Sequence, residues 1–193
     1  MYKAGDFVIS ELALPGVYKI ETTVFSDDRG KIWSSFTKEL NNFFHLKNLE
    51  FVHTKYNSNK KNVLRGIHYD NISTKFVSCI AGKINQFVIN VNENSNNFGE
   101  YIKVSLKCGD GVGILIPPGY GNAFVSCEDN SIYCYQLSYS GNYPDVSEQN
   151  TIKYNDRRIN INWGVDAPIL SKRDTWGRYE YISSFSQNWG RRT

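Results

Sequence analysis

The sequence predicts an all-β protein folded as one antiparallel barrel or sandwich with few helices. Short runs rich in Val, Ile, Phe and Tyr recur along the 193 residues, and clusters of Gly, Asn, Asp and Pro separate them. Short strands with turn residues between them are typical of antiparallel barrels. The length suits one domain that buries a substantial core, so we expect residues 1–193 to form a single domain.

The strand candidates alternate apolar with polar residues or are almost wholly apolar. They are 16–24, 49–56, 75–80, 84–92, 100–107, 112–116, 122–127 and 131–138. Segments with Gly, Asn and Asp, which favour turns, stand between them at 81–83, 92–97, 108–111 and 128–130. We therefore expect consecutive hairpins.

Two short helices are expected, one in the N-terminal third and one near the C-terminus. Residues 33–46 are the best helix candidate, because apolar residues stand at positions 33, 36, 40, 43, 44 and 46. The last thirty residues are rich in Trp, Arg, Ser and Asp. We expect them to wrap the β core as loops and a short helix.

The composition excludes several classes of protein. Hydrophobic residues make up 40% of the chain and the net charge is only +3, which argues against a disordered chain and against a nucleic-acid groove. No apolar run approaches the roughly 20 residues that a transmembrane helix needs. The N-terminus lacks the pattern of a signal peptide. We therefore expect a cytoplasmic protein without a membrane or nucleic-acid partner.

The four cysteines, Cys79, Cys108, Cys127 and Cys134, form no CxxC pair. Three of them sit among apolar neighbours, where a reduced thiol packs as a small apolar side chain. We expect structural thiols, with metal ligation as the alternative.

The motif RGIHYD, residues 65–70, holds the histidine of greatest interest. Histidine titrates near neutral pH and can act as a general base, so His68 is a candidate catalytic residue. Strict alternation along a strand would place Arg65 and His68 on opposite faces. A histidine at a strand end is also often a hydrogen-bonded structural residue, and the motif alone leaves both roles open.

A second candidate region combines IPPGYGNAF, residues 116–124, with SIYCYQLSY, residues 131–139. The prolines and glycines predict a tight corner that leads into a strand. Alternation places Tyr133 and Tyr135 on one face of the next strand. A tyrosine inside a barrel needs a hydrogen-bond partner and can serve as a general acid, so core packing and catalysis both fit.

Together, RGIHYD, residues 75–101, IPPGYGNAF and the pattern YNDRRINIxW at 154–163 resemble the dTDP-4-dehydrorhamnose 3,5-epimerase family in order and spacing. The resemblance runs from about Tyr18 to about Asp174. It implies a cupin-like antiparallel jelly-roll barrel with the active site inside, usually assembled as a homodimer, and a nucleotide-sugar substrate.

The resemblance also implies roles for single residues. His68 matches the family's catalytic base, and Asp174 matches the carboxylate that orients it. Tyr135, thirteen positions after Asn122, matches the acid on the opposite face of the sugar. The positions that match substrate contacts are Arg65 and Lys75 near the keto oxygen and phosphates, Arg29 at the nucleotide end, and Tyr143 in the loop at 138–148.

Epimerisation beside a ketone explains why these residue types are needed. A C4 ketone acidifies the hydrogens on C3 and C5, and inversion requires a base on one face of the sugar and an acid on the other. Hydrogen-bonding or cationic groups stabilise the enolate oxygen that forms. We expect no metal and no redox cofactor, and no two of the three histidines form the HxH pair of many metal-binding cupins.

Three positions depart from the family's pattern. Asn122 stands where the family has a histidine, and His53 and Lys55 stand where it usually has glutamine and asparagine. Asparagine can donate to a keto oxygen but cannot take up a proton near neutral pH. Asn122 therefore indicates either a changed substrate or a disabled site. Because the other residues persist, we favour a changed substrate, for example a GDP-linked 4-keto-6-deoxyheptose.

The sequence thus predicts an epimerase acting at C3, C5 or both of a nucleotide-linked 4-keto-6-deoxy sugar, for the synthesis of a capsule, lipopolysaccharide or other surface glycan. A 3,4-ketoisomerase of the same barrel type is one alternative, since it also passes through an enolate. A non-catalytic cupin that binds a sugar nucleotide is another, and a metal-dependent cupin oxygenase is the least favoured.

Overall fold

A computed structural model of the chain describes residues 1–143 and 149–177. Its strands are β1 (Tyr2–Ala4), β2 (Phe7–Glu11), β3 (Tyr18–Thr22), β4 (Val24–Asp27), β5 (Gly30–Trp33), β6 (Phe51–Asn59), β7 (Leu64–Tyr69), β8 (Thr74–Ala81), β9 (Lys83–Asn90), β10 (Tyr101–Lys107), β11 (Val112–Ile116), β12 (Tyr120–Ser126), β13 (Ser131–Ser138) and β14 (Asn150–Thr151). Its helices are α1 (Lys38–Leu46) and α2 (Lys172–Trp176).

Two antiparallel sheets form the barrel. The larger sheet has the strand order β1-β2-β3-β11-β8-β13-β6, and the smaller one has the order β10-β9-β12-β7-β14. Strands β4 and β5 form a separate hairpin. A core that includes Val77, Val88, Ile114, Phe124 and Tyr133 packs between the two sheets. This architecture confirms the predicted all-β, cupin-like jelly roll with two short helices.

The turn chemistry of the sequence explains the hairpins. The predicted turns join β8 to β9, β9 to β10, β10 to β11, and β12 to β13. Gly82 and Asn130 in two of these turns have φ of +68° and +58°, a conformation that Gly and Asn adopt at least cost. All eight predicted strands are present. Six strands are not among those predicted: β1, β2, β4, β5, β7 and β14, which have two to six residues and therefore carry little alternation.

Helix α1 begins later than its apolar pattern predicts. Trp33 ends β5, and Thr37 caps the helix, its Oγ1 accepting a hydrogen bond from the Leu40 amide at 3.4 Å. The prediction of a helix from residue 33 is therefore wrong for its first five residues. The buried side chains Leu40, Phe43 and Phe44 pack the helix against the larger sheet.

A β-bulge in β7 decides which way the RGIHYD side chains face. In the pairing of β7 with β12, His68 is opposite Asn122 and Arg65 is opposite Phe124. Three steps along β7 therefore match two steps along β12, so β7 contains one extra residue. An extra residue reverses the alternation beyond it, and Arg65 and His68 both face the space between the sheets. The prediction of opposite faces was wrong for this reason.

The chain after β13 covers the outer face of the smaller sheet. Strand β14 pairs with β7, and the ring of Trp163 packs edge-on against Phe87 with 4.8 Å between ring centroids. Helix α2 follows. Within the last thirty residues, Val165 and Leu170 pack against the core of this sheet, so the predicted wrapping is seen as far as residue 177. The remainder of that prediction lies outside the described residues.

The four cysteines are free thiols; Cys79 is buried and the other three are half-buried. The Sγ atoms of Cys79 and Cys108 each lie 3.0 Å from a backbone carbonyl oxygen, those of Ala81 and Ile80 respectively. Neither helix in the described part of the chain has the length and apolar character needed to cross a membrane.

Candidate active site

A cleft of about 460 Å³ opens between the two sheets. Strands β7 and β12 line it from the smaller sheet, and β6, β8 and β13 line it from the larger one. Its lining side chains are Lys55, Asn57, Arg65, His68, Lys75, Asn122, Phe124, Tyr133, Tyr135, Tyr143, Gln149 and Arg173. Seven of the ten site residues predicted from the sequence are among them, and Asp174 contacts one of the seven.

His68 lies on β7 and is held by a carboxylate from α2. Its Nε2 atom is 2.6 Å from Oδ1 of Asp174, and the other carboxylate oxygen accepts a hydrogen bond from the Ser171 hydroxyl at 2.7 Å. Asp174 is only 2% exposed. Because Nε2 carries the proton that His68 donates in a hydrogen bond to Asp174, Nδ1 is the ring nitrogen that is free to accept another proton. The structure thus brings the predicted histidine and aspartate together.

The surroundings of His68 favour its neutral form. Burial lowers the pKa of His68, and the charges of Arg173 and Lys75 lower it further, while Asp174 opposes them. Burial also disfavours ionisation of Asp174, but the contact with His68 and the donor from Ser171 hold the pKa of this carboxyl below its usual value. At neutral pH the pair is a neutral imidazole on a carboxylate, which is the state of a general base.

Tyr135 reaches the same cleft from the opposite sheet. It lies on β13 and shares the inner face of this strand with Tyr133, as the alternation predicts. Burial raises the pKa of Tyr135, against the effects of a hydrogen bond with Asn57 and the charge of Arg65. Its hydroxyl therefore stays protonated at neutral pH and can donate a proton.

Tyr133 is only 1% exposed, and its hydroxyl contacts two side-chain amides. Its hydroxyl donates to Gln86 Oε1 at 2.9 Å and lies 3.2 Å from Asn122 Oδ1. Burial raises its pKa far above the usual value for tyrosine. Of the two inner tyrosines, Tyr135 is therefore the better acid for a ligand in the cleft.

Asn122 stands directly beside His68, because these residues are paired across β12 and β7. Its Oδ1 accepts a hydrogen bond from Gln86 Nε2 at 2.7 Å. The position at which the sequence departs from the family pattern is thus within the cleft and next to the candidate base.

Four basic side chains give the cleft a positive lining: Lys55, Arg65, Lys75 and Arg173. Nε of Arg65 donates to Asn59 at 2.9 Å, and Nε of Arg173 donates to Thr151 at 2.6 Å. These contacts orient the two guanidinium groups. Such a lining suits phosphate groups and a developing enolate oxygen.

Lys75 is the basic residue most deeply buried in this lining. Its Nζ lies 3.0 Å from Oδ2 of Asp70, and the two side chains are 8% and 6% exposed. Backbone amides of Ile72 and Ser73 donate to the other oxygen of Asp70. Burial disfavours ionisation of Asp70, but Lys75 and these amides hold the pKa of the carboxyl below its usual value. Asp70 is therefore a carboxylate at neutral pH.

An aromatic and cationic cluster forms one side of the cleft. Nζ of Lys55 lies 4.0 Å from the centre of the Tyr143 ring, and the rings of His53 and Tyr143 meet edge-on at 5.5 Å. The Tyr143 hydroxyl accepts a hydrogen bond from Gln149 at 2.9 Å. Burial lowers the pKa of Lys55 and raises the pKa of Tyr143 to about 12. Rings beside a cation suit a nucleobase and its phosphates.

Arg29 is not brought to this cleft. It lies in the turn of the β4–β5 hairpin, where its guanidinium pairs with Asp27 at 2.6 Å and its side chain is 90% exposed. His53 also lies outside the lining and contacts the cleft through Tyr143.

Sequence reasoning missed Asn57, Gln86, Gln149 and Arg173. Arg173 directly precedes Asp174, so a basic residue beside the expected carboxylate was an available signal. Gln86 shares its strand face with Ile84 and Val88, and all three are fully buried. A single polar residue on a buried apolar face requires polar partners, and that was the signal for Gln86.

Comparisons with known proteins point to one family. The family model for dTDP-4-dehydrorhamnose 3,5-epimerase matches residues 11–179. The protein of that name from Salmonella typhimurium is 29% identical over 171 residues, which cover 86% of this chain and 92% of that protein.

Solved structures agree with the sequence match. The rmlC epimerase of Mycobacterium tuberculosis has a TM-score of 0.77 at 26% identity, over 93% of this chain and 92% of that one. RmlC of Legionella pneumophila, solved with dTDP-4-keto-L-rhamnose, has the same fold with a TM-score of 0.76 at 24% identity, over 87% and 89% of the two chains. The chain described here therefore belongs to the dTDP-4-dehydrorhamnose 3,5-epimerase family and is a carbohydrate epimerase.

Proposed function

We propose that this enzyme inverts C3, C5 or both in a nucleotide-linked 4-keto-6-deoxy sugar, with His68 as the base and Tyr135 as the acid. One observation carries the proposal. His68 and Tyr135 line a single cleft from opposite sheets, and Asp174 binds the Nε2 of His68 at 2.6 Å. A sugar ring between them would present one face to the base and the other to the acid.

The proposed reaction begins when Nδ1 of His68 takes the proton from C3 or C5. The electron pair of that C–H bond moves toward C4, and the ketone becomes an enolate. Tyr135 then returns a proton to the same carbon from the other face, which inverts it. Solvent reprotonates Tyr135 and removes the proton from His68. A positioned base and a positioned acid each contribute about 10²–10⁴-fold to such a reaction.

The cationic lining supplies the remaining roles. We assign Arg65 and Lys75 to the keto oxygen and the phosphates, and Asn122 to a hydrogen bond with the same keto oxygen. Lys55, His53 and Tyr143 are assigned to the nucleotide end, because their rings and charge lie together on one side of the cleft.

We propose a GDP-linked 4-keto-6-deoxyheptose as the preferred substrate and a dTDP-linked hexose as the alternative. Support comes from the three departures from the family pattern. Asn122 lies beside the candidate base, whereas His53 and Lys55 adjoin Tyr143 at the proposed nucleotide end. Changes at both ends of the cleft suit a substrate whose sugar and nucleobase both differ from those of the dTDP-linked hexose.

Proton NMR in D₂O tests the proposal. The enzyme is incubated with GDP-4-keto-6-deoxyheptose, GDP-4-keto-6-deoxymannose and dTDP-4-keto-6-deoxyglucose in parallel. Loss of the C3 or C5 proton signal is the expected result, and the substrate that loses it fastest identifies the nucleotide and sugar. A 3-keto product would instead indicate a ketoisomerase. Tight binding without exchange of any proton would indicate a non-catalytic binding protein.

A homodimer is part of the proposal. Val52 and Tyr56 alternate along β6 with the cleft-lining Lys55 and Asn57, so they face away from the cleft, where they are 56% and 63% exposed. Ile80 on β8 is also exposed, at 42%. A group of exposed apolar side chains on a sheet suits a protein interface. Arg29 would reach a nucleotide only if the β4–β5 hairpin moved, or if Arg29 of one chain extended into the cleft of a second copy.

Sedimentation analysis of the double variant Val52→Asp/Tyr56→Asp tests the dimer. We expect the wild-type chain to sediment as a dimer and the variant as a monomer, and a variant that stays dimeric would rule out this face.

We also propose that the enzyme works in the cytoplasm, in the assembly of a surface polysaccharide. We expect a cytoplasmic extract to convert the substrate, and we expect an extract from cells that lack the gene to have lost this activity.

A further inference from the structure

A buried network of side-chain amides determines whether a hydrogen-bond donor or an acceptor faces the cleft beside His68. We infer that Gln86 is a positioning residue, which holds the Asn122 amide so that its Nδ2 group is the donor offered to the substrate. The identity of the accepting atom, the C4 keto or enolate oxygen, rests on the proposed function. The orientation of the amide rests only on hydrogen bonds of the free protein.

A backbone carbonyl oxygen determines the orientation of the Gln86 amide. The Gln86 Nε2 atom lies 2.7 Å from the carbonyl oxygen of Phe87, which can only accept a hydrogen bond. This contact identifies the nitrogen end of the Gln86 amide. The same nitrogen lies 2.7 Å from the Asn122 side chain, whose near atom must therefore be the oxygen Oδ1. Asn122 thus turns its amide nitrogen away from Gln86.

Tyr133 completes the network. Its single hydroxyl proton points to Oε1 of Gln86 at 2.9 Å, with Oδ1 of Asn122 at 3.2 Å as a second, weaker acceptor. Gln86 and Tyr133 are 0% and 1% exposed, so any reversal of an amide would leave a buried polar atom unpaired. Within the described part of the chain, Nδ2 of Asn122 has no protein acceptor and is the group left for a ligand.

This arrangement gives the cleft a donor that does not titrate. A histidine beside a substrate oxygen changes its charge near neutral pH, whereas an amide held in one orientation donates at every pH at which the protein is folded. The Gln86–Asn122 pair therefore makes this hydrogen bond independent of pH.

The isosteric variant Gln86→Glu tests the polarity. A carboxyl group carries at most one proton and cannot donate to both the Phe87 carbonyl and Asn122, so the Asn122 amide is no longer held with its oxygen toward residue 86. We expect kcat for deuterium exchange to fall about 10²-fold with little change in KM, as for the loss of one oxyanion donor.

A double-mutant cycle separates positioning from general damage. Asn122→Ala removes the same donor without adding a charge, so Gln86→Glu combined with Asn122→Ala should cost hardly more than either change alone. Asn94→Asp, in the exposed loop between β9 and β10, is the control for added charge and should leave kcat unchanged. Fully multiplicative losses in the cycle would overturn the inference.

A rescue experiment supplies the donor by another route. In the double variant Gln86→Glu/Asn122→His, the new carboxylate would accept one ring N–H and keep the imidazole protonated, so that the second N–H faces the cleft. We expect kcat for deuterium exchange to be about tenfold higher than in Gln86→Glu alone. This gain should disappear as the pH rises above neutrality. A residue that only fills space would give no such recovery.

Side-chain amide exchange measures the orientation without turnover. Both Nε2 protons of Gln86 are hydrogen-bonded and should exchange slowly in D₂O, while the Nδ2 protons of Asn122 should exchange quickly; the variants Gln86→Glu and Asn122→Asp assign the signals. Slow exchange at Asn122 with fast exchange at Gln86 would overturn the inference. The expected amide pattern without any sugar proton exchange would overturn only the proposed function.

Discussion

The Nε2 atom of His68 lies 2.6 Å from Oδ1 of Asp174, although the two residues are 106 positions apart in the chain. Ser171 connects this contact to the fold, because its hydroxyl caps α2 and also donates to the carboxylate of Asp174. The start of a five-residue helix therefore determines where the carboxylate meets the imidazole.

Replacement of His68 or Asp174 should remove proton exchange at the sugar. We expect His68→Asn to lower the exchange rate at C3 and C5 by about 10²–10⁴-fold, because the base is lost. Asp174→Asn should lower it by about 10²-fold, because the imidazole loses its orientation. Proton NMR in D₂O measures both effects. His45→Asn, at the exposed end of α1, is the matched control, and an equal loss in this variant would point to misfolding instead.

The exchange rate should depend on pH through His68. A histidine can act as a base only when it is neutral, and the pKa of His68 is held below the ordinary value of 6.5 by burial and by neighbouring positive charges. The rate should therefore fall as the pH decreases through a midpoint below 6.5 and stay level above it, until Tyr135 ionises at high pH. A rate profile from pH 4.5 to 9 measures this midpoint, and a midpoint above 7 would contradict the assignment.

The buried Lys75–Asp70 pair should contribute strongly to stability. Lys75→Met leaves the Asp70 carboxylate buried without its cation, and we expect the free energy of unfolding in urea to fall by about 3–5 kcal/mol. The double variant Lys75→Met/Asp70→Asn should recover most of this loss. Lys19→Met, which breaks a partly exposed pair with Glu21, should cost only about 0–1 kcal/mol.

The same pair predicts a loss of stability in acid. The pKa of Asp70 is lower in the folded protein than its usual value of 3.8. Its contribution is therefore fully present above pH 3.8 and is lost as the pH falls through the lower, folded pKa. Urea unfolding at pH 3 and pH 6 should show a smaller difference between wild type and the single variant Asp70→Asn at pH 3. An unchanged difference would show that Asp70 does not titrate as described.

Close packing at Gly66 can be separated from its backbone conformation. Gly66 and Gly30 have nearly equal φ values of +137° and +132°, but a Cβ at Gly66 would lie 2.3 Å from Cβ of Ala123, whereas a Cβ at Gly30 would have no atom within 4 Å. We expect Gly66→Ala to lose about 1–3 kcal/mol more free energy of unfolding than Gly30→Ala. Equal losses in urea would mean that Ala123 moves aside without cost.

The preference for the nucleotide should follow positions 53 and 55. The double variant His53→Gln/Lys55→Asn carries the residues usual in the family, and we expect it to raise the ratio of kcat/KM for dTDP-linked over GDP-linked substrate by about tenfold. Steady-state kinetics with both substrates measure this ratio. Asn122→His, which alters the sugar end, should leave the ratio unchanged. A ratio that moves only with Asn122→His would transfer the preference to the sugar.

Local patterns predicted most of the strands and the residues of the cleft. Strands β11 and β13 have the predicted bounds because their apolar runs end at clear turn residues, and alternation placed Tyr133 and Tyr135 on one inner face. The motif resemblance predicted the roles of His68, Tyr135 and Asp174. Both kinds of evidence depend only on neighbours in the chain or on the order of motifs.

The sequence by itself determined the all-β class, the turns and the family, because hydrophobic period, turn chemistry and motif order are properties of short segments. Only the tertiary structure decided that Arg65 and His68 share a face, since this depends on the register of β7 against β12. It also decided that Gln86 orients Asn122 and that Arg29 lies outside the cleft. Such contacts join residues far apart in the chain, and no local pattern records which distant atoms will meet.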